Sequence, residues 1–136
     1  MSSSIQDNDY IVELSAALLK YDRRHSANNF SIVAVHGLGG DWEKTWTDDN
    51  GALWLRDFLP SQLPPARIMS YGYNSRTAFS KAVTDINDEA AMLLDRLVGE
   101  RQSKGQKTRP IIFVSHSLGG IIVKKVRVLS IMAIQY

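Results

Sequence analysis

The sequence predicts an α/β protein whose parallel sheet is covered by helices on both faces. Three short apolar runs, at residues 30–35, 67–73 and 110–114, are predicted strands, and segments with helical periodicity lie between them. The first and third runs are rich in β-branched residues with almost no polar positions, which is typical of strands buried on both sides. The predicted order is helix, strand, helix, strand, helix, strand, helix.

The chain is predicted to begin with a helix over residues 9–21. Asp9 is suited to the N-cap position, and the polar stretch 26–29 ends the segment. Apolar side chains recur along it at helical spacing, at Ile11, Leu14, Leu18 and Tyr21. Residues 1–29 are therefore expected to form an N-terminal helix and a lead-in to the first strand.

Two further helices are predicted between the strands and one after the last strand. A short helix over residues 52–58 ends near Pro60, and a long amphipathic helix runs to about Arg101, before a polar linker at 102–109. The long helix has apolar residues three and four positions apart, at Phe79, Val83, Ile86, Ala90, Leu94 and Leu97. The final helix follows Ser117 and covers residues 118–125.

The composition is that of one small globular domain. The chain has 136 residues, of which 44% are hydrophobic and 22% charged, and its formal net charge is +2. Two basic clusters stand out: Arg101, Lys104, Lys107 and Arg109, then Lys124, Lys125 and Arg127. Such clusters could bind an anionic partner, but without interleaved aromatic residues they are better explained as solvated surface, so we expect no nucleic-acid partner.

Several classes of protein are disfavoured by what the sequence lacks. The absence of cysteine excludes disulfides, zinc–thiolate sites and cysteine nucleophiles. The first nine residues are polar and acidic, unlike a signal peptide, and no stretch approaches the ~18 apolar residues that span a bilayer. We expect an intracellular, cytoplasmic protein with no transmembrane segment, no metal and no cofactor.

The most informative motif follows the third predicted strand and opens the last helix. It reads Ser115-His116-Ser117-Leu118-Gly119-Gly120. A nucleophile elbow needs this context, because the serine sits on a sharp strand-to-helix turn flanked by small residues. Ser117 occupies the nucleophile position with Gly119 after it, while Ser115 replaces the usual first glycine. The alternative is that Ser117 merely caps the helix; the apolar strand before it favours the elbow.

A second motif, His36-Gly37-Leu38-Gly39-Gly40, follows the first predicted strand. Acyl transfer requires N–H donors for a tetrahedral oxyanion: one from the residue after the nucleophile, here Leu118, and one from a glycine-rich loop. Leu38 or Gly37 would supply the second donor. A phosphate-binding loop is the weaker alternative, because neither the dinucleotide nor the P-loop spacing is present.

From about Ser31 to Lys125 the chain resembles the lipase-like serine esterase domains of the α/β-hydrolase superfamily. It is most similar to fungal forms that precede NACHT-type NTPase and repeat modules, related to SERAC and GPI-inositol-deacylase-like esterases. The resemblance lies in residues 36–40, 44–47, 54–60, 67–73 and 115–120. It implies that residues 30–136 are a truncated, three-layer α/β-hydrolase-like domain, with possible further C-terminal modules in longer relatives.

The resemblance also implies roles for individual residues and a substrate class. Ser117 would be the nucleophile, the N–H groups of Leu38 and Leu118 would form the oxyanion hole, and the substrate would be a lipid or acyl ester. Supporting positions would be His36, Gly39, Gly40, His116, Gly119 and Gly120. His36 would shape the loop, and His116 would point away from the site.

The general base and its orienting acid are missing from the expected part of the sequence. In this fold the acid and the histidine follow the serine, but residues 118–136 contain no Asp, Glu or His. Asp41, Asp48 and Asp49 could lie near the site mouth, although they precede the serine. We therefore expect this chain to be an inactive fragment of a serine ester hydrolase; the alternative is a non-catalytic lipase-like interaction module.

The three tryptophans leave two interpretations open. They could line a substrate pocket, or they could pack a loop against the sheet. Packing is favoured for Trp54, which falls in the short predicted helix, whereas Trp42 and Trp46 follow the glycine-rich loop and suit either role.

Overall fold

The computed structural model describes residues 10–15, 30–75, 83–102 and 107–134. They contain four strands: β1 (Tyr10–Glu13), β2 (Phe30–Val35), β3 (Ala66–Gly72) and β4 (Ile111–Ser115). These form one sheet in the order β1-β3-β2-β4. The three strands predicted from apolar runs are confirmed with shifts of about one residue at their ends.

The central strand β2 pairs in parallel with β3 on one side and with β4 on the other. Ile32 is opposite Ile68 in the first pair and opposite Ile112 in the second. Parallel strands place their carboxyl ends at one edge of the sheet, where ligands of open α/β sheets bind. Both glycine-containing motifs therefore begin at the same edge.

The predicted helix at the start of the chain is wrong where the structure describes it. Residues 10–13 form β1, which runs antiparallel to β3 with Tyr10 opposite Gly72, so the sheet is mixed and not purely parallel as predicted. Ile11 packs on one face of the sheet and Val12 on the other, an alternation that a strand provides and a helix does not. Residues 16–21 of the predicted helix lie outside the described residues, and the domain boundary at residue 30 stays a prediction.

The helices that follow β2 lie in the predicted places, but their number and their ends differ from the prediction. A 3₁₀ helix (Lys44–Trp46) precedes two short helices, α1 (Trp54–Asp57) and α2 (Leu59–Gln62), where one helix ending near Pro60 was predicted. Pro60 instead lies in the first turn of α2, where its missing N–H costs no helical hydrogen bond. The long predicted helix is α3 (Val83–Glu100); Phe79 lies outside the described residues.

The last helix, α4 (Leu118–Ile134), is longer than the predicted 118–125. Several of its apolar side chains are exposed, including Ile121 and Ile131. Across the described ranges, the helices fall short of the combined length and apolarity that crossing a membrane requires.

The sheet has an apolar layer on each face. On one face α3 and α4 cover Val33, Val35 and Met69 with their own buried side chains, including Leu93 and Ile122. On the other face Trp46, Leu53 and Leu55, from the segment between β2 and β3, cover Ile32, Ala34 and Ile68. The sheet thus lies between two layers, and the turn between β4 and α4 joins the sheet to one of them.

Candidate functional site

Ser117 occupies a strained turn between β4 and α4. Its φ is 53°, and it is the only non-glycine residue with positive φ in the described ranges. This left-handed conformation costs an L-residue about 1–2 kcal/mol. The turn is held by backbone hydrogen bonds from the N–H of Gly119 to the His116 carbonyl (3.0 Å) and from the N–H of Gly120 to the Ser117 carbonyl (3.0 Å). The exposed Ser117 side chain is thus presented on a firmly bonded turn.

The turn is fastened to the end of β2. The N–H of His116 donates to the Val35 carbonyl at 3.1 Å. A Cβ at position 119 would collide with that same carbonyl oxygen and would lie 2.7 Å from the carbonyl oxygen of His36. Glycine at 119 therefore allows the first turn of α4 to approach the β2 backbone.

The glycine-rich loop after β2 lies directly against this turn. A Cβ at Gly37 would lie 2.7 Å from the His116 carbonyl oxygen and 2.9 Å from Cβ of Ser117. The two motifs identified in the sequence are therefore adjacent in space. Gly37 is buried in this contact, whereas Leu38, next along the loop, is 46% exposed.

The hydrogen bonds of the loop leave particular N–H groups available. The Gly39 N–H donates to Oγ of Ser75 (2.9 Å), and the Gly40 N–H donates to the Gly37 carbonyl (3.1 Å). Among the contacts of the described residues, the N–H groups of Leu38 and Leu118 have no acceptor. They are the donors that an incoming oxyanion could use.

His36 supports the loop from beneath and is fully buried. Its Nδ1 donates to the Gly37 carbonyl (2.9 Å), and its Nε2 accepts from the N–H of Tyr73 (3.4 Å), which together select the neutral Nδ1–H tautomer. The Tyr73 ring stacks on the imidazole at 4.2 Å, and its hydroxyl donates to the His36 carbonyl (2.8 Å). Burial lowers the pKa of His36, against the opposing effect of the hydrogen bond to Gly37. Both ring nitrogens are engaged, so neither is available to take a proton from Ser117.

The other candidate acids and bases are placed differently. His116 is exposed, and its Nδ1 lies 3.2 Å from where a Cβ of Gly37 would be, so the ring lies beside the loop. Oδ1 of Asp41 accepts the N–H groups of Glu43 (2.8 Å) and Lys44 (2.5 Å).

Asp48 has a similar local role, and its Oδ1 accepts the N–H groups of Asn50 (2.9 Å) and Ala52 (3.0 Å). Asp49 is exposed. His25, the third histidine of the sequence, precedes the first predicted strand and lies outside the described residues. The two bonded aspartates therefore cap turns in the segment after the glycine-rich loop.

The tryptophans divide between the two roles considered. Trp46 is 7% exposed and meets Trp54 edge-on with ring centroids 6.1 Å apart, so this pair packs against the sheet. Trp42 is half-buried and lines a cavity. Its carbonyl accepts the hydroxyl of Ser70 (2.7 Å), which fixes the loop at that point.

The cavity has a volume of about 400 Å³ and lies at the carboxyl edge of the sheet, beside Gly39 and Gly40. Its other walls combine aromatic and polar side chains, among them Tyr10, Asp41, Trp42, Lys44, Asn74 and Ser75. The sequence did not single out Tyr10, Tyr73, Asn74 or Ser75, because no local spacing links the ends of β1 and β3. The one local pattern that could have drawn attention to this cavity is the pair of tyrosines, Tyr71 and Tyr73, on either side of Gly72.

A second cavity, of about 410 Å³, lies near the amino end of β4, between α3 and α4. Apolar side chains dominate its walls, including Leu94, Leu97, Phe113 and Val126. Since Ser117 follows the carboxyl end of β4, this apolar cavity is at the opposite end of the strand from the strained turn.

Comparisons with known proteins give a distant relationship. No family model matches the chain, and no solved structure matches it. Protein SERAC1 of Danio rerio is 29% identical over 113 residues, that of Mus musculus 29% over 111 residues, and that of Homo sapiens 25% over 111 residues. Each match covers 69% of this chain and 17% of the relative, so the chain spans about a sixth of the length of these curated relatives. The chain is thus an α/β protein distantly similar to the SERAC1 proteins.

Proposed function

We propose that this chain contributes the nucleophile and the oxyanion donors of a serine ester hydrolase that acts on lipid or acyl esters. The observation that carries the proposal is the positive φ of Ser117 on a tight strand-to-helix turn. Strain of this kind persists only where surrounding structure holds it, and it is concentrated at functional sites. A serine that merely capped α4 would adopt ordinary extended backbone angles instead.

The proposed chemistry follows from the groups around that serine. Oγ of Ser117 attacks the ester carbonyl carbon and gives its proton to a base, and the carbonyl oxygen becomes an oxyanion bound by the N–H groups of Leu38 and Leu118. Collapse breaks the bond to the alcohol, which leaves with a proton, and water then releases the acid from the acyl-serine. The distant similarity to SERAC1 proteins and the α/β-hydrolase resemblance support the same assignment.

In this proposal the base is neither His36 nor a residue that follows Ser117 in the sequence. Both nitrogens of His36 are hydrogen-bonded, and residues 118–136 offer no Asp, Glu or His. Without a base, a serine hydroxyl is a weak nucleophile. We therefore expect this chain alone to show no steady ester hydrolysis.

Added imidazole can stand in for the missing base and so test the nucleophile separately. The chain is incubated with p-nitrophenyl acetate, with and without imidazole, and the acetylated residue is located by mass spectrometry of tryptic peptides. We expect imidazole-dependent acetylation at Ser117 that is absent from Ser117→Ala. Ser61→Ala is the matched control, because Ser61 is exposed in α2 and its hydroxyl donates to the carbonyl of Phe58, the residue before that helix. Equal acetylation of wild type and Ser117→Ala would refute the proposal.

A non-catalytic, lipase-like interaction module is a second candidate. The observation that favours it is the exposed apolar surface of α4, where Ile121, Ile131 and Met132 are each more than half exposed. Absence of acetylation at Ser117 in the imidazole experiment, with a specific binding partner lost in Ile131→Lys, would support this alternative.

A further inference from the structure

We propose that the cavity between α3 and α4 is a second binding site, which takes a free aliphatic carboxylate: one anionic head on a hydrocarbon chain. The cavity lies near the amino end of β4, whereas Ser117 follows the carboxyl end of that strand. The site is therefore separate from the ester site, and its binding does not rest on the proposed function. The charge at its rim and the apolar lining of its walls together identify the class of ligand.

The two basic clusters of the sequence meet at this cavity. Arg101 and Lys107 belong to the first cluster and Arg127 to the second, and all three line the cavity. In the sequence each cluster taken alone is explained as solvated surface. The fold brings them together because Arg101 follows α3, Lys107 precedes β4 and Arg127 lies in α4, the three elements that enclose the cavity.

The positive charge at the rim is not neutralised by a neighbouring acid. Among the described residues that line the cavity there is no Asp or Glu. The side chains of Lys107 and Arg127 are exposed, and neither has a hydrogen-bond or ion-pair partner among the described residues. Glu100, next to Arg101 in the sequence, pairs with Arg67 at 2.7 Å. The rim therefore favours an anionic ligand.

Arg101 contributes to this charge from a fixed position. Its guanidinium donates to the carbonyls of Lys107 (2.9 Å) and Arg109 (2.5 Å), and these bonds hold the linker before β4 against the end of α3. Burial and the neighbouring charge of Arg109 lower the pKa of Arg101. Because arginine stays protonated in proteins, a bound anion would offset the repulsion between these two guanidinium groups.

The rest of the cavity wall is hydrocarbon. Six apolar side chains from α3, β4 and α4 line it: Leu94, Leu97, Val98, Ile111, Phe113 and Val126. Inorganic phosphate would gain nothing from these side chains, and a nucleotide base would meet a single aromatic ring. Burial of an aliphatic chain against them is favourable in proportion to its apolar area. The volume of about 410 Å³ falls within the range of roughly 300–1,000 Å³ that is typical of ligand pockets.

Three probes with the same hydrocarbon chain separate the contributions of head and tail. Octanoate, octanol and octylamine have an anionic, a neutral and a cationic head, and each is titrated as a monomer into the full chain and observed by saturation-transfer NMR. We expect octanoate to bind about tenfold more tightly than octanol, through charge-assisted hydrogen bonds, and octylamine to bind most weakly. Added salt should weaken the binding of octanoate and have little effect on that of octanol.

Two substitutions each remove one exposed cation from the rim. Lys107→Gln and Arg127→Gln should each weaken octanoate binding about threefold and leave octanol binding unchanged. Lys124→Gln is the matched control, because Lys124 is an exposed cation of the same helix that does not line the cavity. An equal loss in Lys124→Gln would contradict the proposal, since the preference for octanoate would then follow from the net charge of the chain.

Ser130→Phe tests the cavity itself. Ser130 lines the cavity from α4, and a larger side chain there would fill the space of the hydrocarbon chain. We expect Ser130→Phe to weaken the binding of octanoate and octanol alike, by about tenfold. Val128→Phe is the matched control, because Val128 is 47% exposed on α4 and does not line the cavity. Urea midpoints close to that of wild type would show that both variants are folded.

The outcomes separate this site from the proposed function and from other occupants. Ser117→Ala should bind octanoate as wild type does, whether or not Ser117 is acetylated in the imidazole experiment. Octanol or octylamine binding as tightly as octanoate would overturn the proposal, as would unchanged octanoate binding in Ser130→Phe. Binding to mixed phosphatidylcholine and phosphatidylserine vesicles without binding of octanoate would assign the rim to a membrane surface. Oligomers that Ser130→Phe dissociates, again without octanoate binding, would assign the cavity to a second copy of the chain.

Discussion

Gly119 packs against the carbonyl oxygen of Val35 with no room for a side chain between them. The same carbonyl accepts the N–H of His116, so the end of β2 holds the turn on both sides of Ser117. Gly37 closes the junction from the other direction, against the His116 carbonyl. Gly37 and Gly119 lie far apart in the chain, and both are needed for the close contact between the end of β2 and the turn at Ser117.

Gly119→Ala should therefore destabilise the protein. The added methyl group would overlap backbone atoms, which can move only with β2 or α4, and overpacking of this kind costs about 1–3 kcal/mol. Gly99→Ala is the matched control, because its Cβ would meet nothing within 4 Å and alanine favours the helix. Urea unfolding should show a lower midpoint for Gly119→Ala and an unchanged or higher one for Gly99→Ala. Equal midpoints for the two variants would contradict the close packing.

The backbone strain at Ser117 should appear as a difference in the free energy of unfolding between two variants at this position. Glycine adopts positive φ without steric penalty, whereas alanine shares the penalty of serine. We expect Ser117→Gly to be more stable than Ser117→Ala by about 1 kcal/mol, measured by urea unfolding. If Ser117→Ala proved the more stable of the two, the positive φ would not be a source of strain.

Burial of His36 should make stability depend on pH. Because burial lowers the pKa of His36 below its ordinary value of 6.5, the unfolded chain takes up this proton at a higher pH than the folded protein. The contribution to stability is fully present above pH 6.5 and is lost as the pH falls through the lower folded-state pKa. The urea midpoint should therefore fall on acidification below neutrality, and by less in His36→Gln. The same slope in both proteins would remove His36 as the cause.

The exposed apolar surface should favour self-association. Within the described residues, nothing pairs with the outer edge of β4, and Ile131 in α4 is 56% exposed. We expect sedimentation velocity to show oligomers that Ile131→Lys reduces. Phe58→Lys is the control for added charge at an exposed apolar position away from α4. A monodisperse monomer at micromolar concentration would contradict this expectation.

The sequence predicts most directly a strand that is buried on both faces of the sheet. Val33 and Ala34 are both fully buried on opposite faces of β2, and a continuous apolar run is the direct signature of that environment. β1 gave no such signature. Ile11 and Leu14 are spaced by three, as in a helix, and only pairing with β3, more than fifty residues later, selects the extended conformation.

The site, too, could be predicted only in part from the sequence. Ser117 and the glycine-rich loop carry local patterns, because each requires a particular backbone at consecutive positions. The cavity carries none, since Tyr10, Trp42 and Asn74 come from three separate segments that only the sheet brings together. The cavity exists because of the order of the strands in the sheet, and the spacing of apolar residues does not reveal that order.

The position of β2 between β3 and β4 also sets an order of events during synthesis. Its two ladder partners come from the middle and the last third of the chain, so its second edge stays open until β4 has emerged from the ribosome. Such distant parallel pairs form slowly, because a long loop must close before any hydrogen bond is gained. The left-handed turn at Ser117 depends on that late docking. We therefore expect Ser117 of a nascent chain to remain unstrained until β4 has docked on β2.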